Sequence, residues 1–107
     1  MFDTKNSTRI VLEGVHLGSV TACAFSQLVP GRLFVGLSNG DLLVYDILKD
    51  AFPTKRISVG SGGILSIAAC PATTARVGTA DGTGRIVLLD IEKDKPYVPL
   101  FTIIIVA

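Results

Sequence analysis

The chain states nearly the same pattern twice, and that duplication limits its fold more than any other feature. Residues 36–46 read GLSNGDLLVYD, and residues 78–90 read GTADGTGRIVLLD. An apolar run precedes each of them, VTACAFS from Val20 and ILSIAACP from Ile64. The runs start 44 residues apart, the Gly36–Gly78 pair lies 42 apart, and the closing aspartates Asp46 and Asp90 lie 44 apart. A short unit repeated at such a period cannot bury its own apolar face and must stack on a neighbour of its own kind. Two units account for most of the 107 residues.

Within each unit the pattern is that of short strands. Gly and Pro recur every 8–12 residues, and no stretch carries apolar residues at helical spacing over three turns. The strands are expected at Arg9–Glu13, Ser19–Phe25, Leu33–Leu37, Leu42–Ile47, Thr54–Val59, Ile64–Ala69, Ala75–Thr79, Arg85–Ile91 and Leu100–Val106. Pro30-Gly31 marks a turn. Asn39-Gly40 predicts a type I′ hairpin, in which both residues take positive φ. The second hairpin, Asp81-Gly82-Thr83-Gly84, reads as two residues longer, and Gly60–Gly63 reads as a flexible joint between units. The runs Ser19–Phe25 and Ile64–Ala69 are small and apolar throughout, as in strands enclosed on both faces.

Composition narrows the function classes. The chain is 49% apolar and 18% charged, with a mean hydropathy of +0.56. That is apolar for a small domain, and it implies sheets covered on both faces or a surface meant for a neighbour. Ten basic and nine acidic residues are interspersed, so no polybasic arm invites nucleic acid or an anionic membrane. The longest apolar stretch, Ile103–Ala107, is far short of the ~20 residues of a membrane helix, and Met1–Arg9 has no apolar core of a secretory signal. Cys23 and Cys70 form no CxxC pair and read as buried free thiols, which favours an intracellular, cytoplasmic setting.

These repeats resemble the WD-repeat β-propeller family over roughly Val15 to Ile104. The first repeat offers His16, then Val20, Cys23, Phe25-Ser26, Gly36, Asn39-Gly40 and Tyr45-Asp46. The second offers Ile64, Ile67, Cys70-Pro71, Gly78, Asp81-Gly82 and Leu89-Asp90. Tyr45 and Leu89 stand where the family has Trp, and Gly60 stands where it has His. The resemblance implies an all-β fold, a partial β-propeller of two four-stranded antiparallel blades plus one extra N-terminal strand. Residues 1–107 form one partial propeller: 8–13 as a strand of a preceding blade, 15–59 as blade one, and 60–106 as blade two. His16, Asn39, Tyr45, Asp46, Asp81 and Asp90 are then blade-structural residues. Closed rings have at least four blades, so two blades imply a partner.

Catalytic chemistry is not written in the chain. His16 is the only histidine, the carboxylates are scattered, and the Gly-rich segments lack the Lys-Ser/Thr of a phosphate loop. No catalytic residue, metal or cofactor is expected. The expected function is a non-catalytic protein–protein interaction scaffold working inside a larger assembly. Its partners are other protein chains that complete or cap the propeller, contacted through Ile10, Leu12, Tyr97, Ile103 and Ile105. Two alternatives stand beside it: an incomplete fragment of a longer WD-repeat propeller protein, and a ribonucleoprotein subunit touching RNA through loop residues Lys55, Arg56, Arg76 and Arg85. The balanced charge weighs against nucleic acid.

Overall fold

The computed structural model describes residues 11–13, 18–71, 75–92 and 100–104. Eight strands follow one another: β1 (Val20–Phe25), β2 (Arg32–Leu37), β3 (Asp41–Asp46), β4 (Pro53–Ser58), β5 (Ile64–Ala69), β6 (Arg76–Asp81), β7 (Arg85–Asp90) and β8 (Phe101–Ile104). They form two four-stranded antiparallel sheets, β1-β2-β3-β4 and β5-β6-β7-β8. The described residues contain no helix, and none is therefore long and apolar enough to cross a membrane.

The two sheets are copies of one unit. Each of the first three strands starts and ends 44 residues before its counterpart. The irregularity between Val20 and Ala22 returns between Ile64 and Ser66. Backbone bonds outside the ladders repeat as well: Ser26 N to Arg32 O and Cys70 N to Arg76 O, Ile47 N to Gly31 O and Ile91 N to Ala75 O.

This register corrects the expected alignment. Gly36 corresponds to Ala80, not Gly78, and Asn39 corresponds to Thr83 rather than Asp81. The two hairpin turns have equal length, residues 38–40 and 82–84. The two extra residues lie instead between β7 and β8, because Leu42 pairs with Ile57 whereas Ile86 pairs with Ile103. The turn type also differs from expectation. Within the two hairpin turns only Gly40 and Gly84 take positive φ, at 91° and 85°; Gly31 does so outside them, at 79°, and among the described residues no non-glycine does. Gly40 N donates to Leu37 O, so the turn is a three-residue connection with glycine in the left-handed position.

The sheets pack face to face, approaching most closely where β1 and β2 meet β5. Small residues permit that approach. A Cβ on Gly36 would lie 2.6 Å from the Ile64 side chain. The interface is filled by Phe34, Leu42, Val44 and Ile57 from the first sheet and Ile64, Val77, Val87, Leu89 and Ile91 from the second unit, all buried. Fully burying side chains of this kind contributes about 1.5–3 kcal/mol each, which makes the interface the main core. The joint between the sheets is not slack. Val59 N donates to Gly40 O, and a Cβ on Gly40 would fall 2.0 Å from Gly60 O. The Gly60–Gly63 run is glycine-rich because backbone lies against backbone there.

β1 and β5 are not enclosed on both faces as expected. All their residues but Ile64 are at least partly exposed, with Phe25 at 60%. Each pairs with one neighbour only and forms its sheet's edge. Cys23 is exposed and Cys70 partly so, which corrects the expectation of buried thiols.

Candidate interaction surface

The outer face of the first sheet is closed by the chain itself. Val35, Leu37, Leu43 and Tyr45 are buried on it, with Leu12, Leu33 and Ile47 packed against them. Tyr45 Oη donates to Glu13 O at 2.6 Å, and Glu13 N donates to Ala51 O at 2.7 Å. These two bonds hold Leu12 over the sheet. Val11–Glu13 is irregular backbone rather than strand, which corrects the extra strand expected across 9–13 over the residues described. Leu12 is accordingly an internal packing residue here. Burial pushes the Tyr45 phenol above its ordinary value, with the Arg56 guanidinium pulling the other way.

Among the described residues, no buried cluster closes the outer face of the second sheet. Alternation and register place two cross-strand rows on it: Ser66, Ala80, Ile86 and Ile103, then Ala68, Gly78 and Leu88. Ser66, Ala68 and Ile103 are exposed, Ile103 at 54%, while Gly78, Ala80, Ile86 and Leu88 are partly buried. Leu65 and Ile104 add exposed apolar surface beside it. Clustered apolar surface of this kind marks a contact site more often than scattered exposed residues do.

The two outer edge strands differ in the same sense. β4 reads PTKRIS and β8 reads FTII. Pro53, Lys55 and Arg56 are the residues by which an edge is blunted against pairing. Arg56 Nη1 bonds Asp41 Oδ2 at 3.0 Å, and Lys55 Nζ donates to Ile91 O across the sheet interface. β8 has no charged residue.

The sequence-predicted residues divide accordingly. Ile103 lies on the open face. Ile10, His16, Tyr97 and Ile105 lie outside the described residues. Asn39 braces the first hairpin, its Oδ1 accepting from Asp41 N at 3.0 Å. Asp46 and Asp90 play equivalent parts, accepting from Leu48 N at 3.3 Å and Glu92 N at 3.0 Å in tight turns after β3 and β7. Asp81 ends β6 and accepts from Thr83 Oγ1, Thr83 N and Arg85 N. Those bonds, the Thr83 hydroxyl first, hold its carboxyl below the usual carboxylate range. Reading residues singly does not reveal the open face as a whole. Its signal was the alternation of Ile86, Leu88 and Ile103.

Lys55, Arg56, Arg76 and Arg85 stand on strands rather than loops, and the first two bond within the molecule. Among the described residues no three His, Cys, Asp or Glu side chains gather in a cluster able to hold a metal ion. No protein-family model matches the chain, and no curated protein matches its sequence.

Proposed function

We propose that this chain is a non-catalytic scaffold unit, a WD-like partial propeller whose second sheet binds another protein. The observation that carries the reading is the asymmetry of the outer faces: one apolar face is closed by Leu12 and Glu13, and the other leaves Ile103 exposed and Ile86 and Leu88 only partly buried. The stacking of two sheets that share register and bulge supports blade-like units, each needing a neighbour on both sides.

Sedimentation of the natural protein tests the reading. It is expected in an assembly well above 11.2 kDa, and Ile86→Glu with Ile103→Glu is expected to release it at its own mass with the fold intact. A natural protein that sediments alone contradicts the proposal. A natural polypeptide that is itself longer, with a further repeat covering the face, supports the fragment reading instead.

A further inference from the structure

Resting on that scaffold reading, we propose that the open face of β5–β8 seats on the outer face of β1–β4 of a second copy of this chain, taking the place of Leu12. The argument is continuity with the interface inside the molecule. There the first sheet contributes Ala22, Phe34, Gly36, Leu42, Val44 and Ile57, and the second contributes Ile64, Ile67, Val77, Val87 and Leu89. The repeat carries the first set onto the open face, as Ser66, Gly78, Ala80, Ile86, Leu88 and, by strand register, Ile103. It carries the second set back onto the outer face of the first sheet, as Val20, Cys23, Leu33, Leu43 and Tyr45. Each copy therefore holds both halves of one contact, on opposite sides of the molecule.

The outer face of the first sheet is also unfinished along β1. Leu12 and Glu13 lie over residues of β2 and β3. Beside them Val20 and Phe25 are 56% and 60% exposed, and Cys23 is exposed. Their equivalents are covered: Ile64 is buried, and Ile67 and Ala69 pack against the core, because the first sheet lies over them. The segment that closes this face thus stops short of the area a sheet would fill.

Sizes are exchanged between the two halves in a compensating way. Inside the molecule, glycine at 36 makes room for Ile64, since a Cβ there would lie 2.6 Å from its side chain. Between copies Ala80 meets Val20, with a methyl added on one side and a methylene removed on the other. Inside, the ring of Phe34 shares its cluster with Val77 and Leu89. Between copies Gly78 meets a face carrying Leu33 and Tyr45, so the ring has moved to the opposite sheet. Close packing requires such trades. The contact joins unlike faces, so each added copy presents a fresh open face until a ring closes. One cover replaces another, and the outer face of the first sheet is not left bare.

Cysteine cross-linking of the full chain tests this, in a Cys23→Ala, Cys70→Ala background. A Cβ on Gly36 would lie 2.8 Å from that of Ile64, so the equivalent positions 80 and 20 of two copies fall within disulfide reach. Chains bearing Val20→Cys are mixed with chains bearing Ala80→Cys under mild oxidation. A dimer of one chain of each sort is expected to form at least about tenfold faster than a dimer of either sort alone. Ile86→Glu in the Ala80→Cys chain should slow it at least about tenfold by placing a charge in the contact. Leu12→Ala in the Val20→Cys chain should speed it, because the displaced cover competes with the second copy. Ile86→Glu should remove that gain too, which separates a loosened cover from a loosened fold. Ala80→Cys chains that link chiefly to one another make two open faces the contact and overturn the proposal. Equal linking in every mixture, or no linking, overturns it as well. A natural protein that still sediments in an assembly then keeps the scaffold reading with a different partner, whereas one that sediments alone contradicts both.

Discussion

The two sheets are built on one plan and finished differently. The first has both faces filled, by the second sheet on one side and by Leu12 on the other. The second has one face filled and one open. The first guards its outer edge with Pro53, Lys55 and Arg56, whereas the second ends in FTII. Matching registers over the first three strands of each sheet thus carry opposite surfaces. In a repeat, the pattern that makes the fold also makes the next contact, and only the finishing segments decide where the stacking stops.

Substitutions can break this contrast, beginning with the largest effect. Gly40→Ala forces a Cβ onto Gly60 O and strains a φ of 91°. It is expected to cost about 4 kcal/mol in chemical denaturation. Gly78→Ala on the open face meets no close neighbour and should change stability by less than ~1 kcal/mol.

Equivalent core positions come next. Leu42 is fully buried and its counterpart Ile86 only partly so. Leu42→Ala should cost about 3 kcal/mol and Ile86→Ala about 1 kcal/mol. Equal losses would mean that the second sheet is covered on both faces like the first.

Tyr45→Phe tests how the first sheet is closed. Losing the bond to Glu13 O should cost about 1 kcal/mol and expose Leu43 to faster hydrogen exchange. The folded-state pKa of Tyr45 lies above its unfolded value. The stability tied to its neutral phenol is therefore complete below about pH 10 and is lost as pH rises through the folded value. Tyr45→Phe should flatten that alkaline decline, read as the denaturation midpoint against pH.

The smallest effect belongs to Asp81, whose carboxyl is held low chiefly by Thr83. Its contribution is present above the ordinary Asp value and is lost as pH falls through the folded one. Thr83→Val should make stability slightly less sensitive to acid, measured the same way.

Much of the fold was legible because its signals are local. Eight of the nine expected strands match observed ones to within two residues, since alternation and Gly/Pro breaks act within a single strand. The misjudged features depend on contacts distant in sequence. The pairing of Gly36 with Gly78 rested on residue identity, whereas Gly36 is glycine because Ile64 sits against it. Leu12 sits in a run that alternates as a strand would, yet the described part of it is laid over the sheet, and the Tyr45–Glu13 bond is what shows it. Cys23 looked internal because its run is apolar, but its strand is an edge. Of the candidate surface, Ile103 was legible from the uncharged terminal strand. Ile86 and Leu88 were not, because an apolar alternating strand reads the same whether its second face is covered or open.

Thiol labelling of the two outer faces tests the central contrast most directly. In the Cys23→Ser, Cys70→Ser background, Leu88→Cys on the second sheet is expected to react with maleimide in the native state. Leu43→Cys on the first sheet is expected to react only as fast as the protein unfolds globally. Equal native-state rates at the two positions would contradict the account.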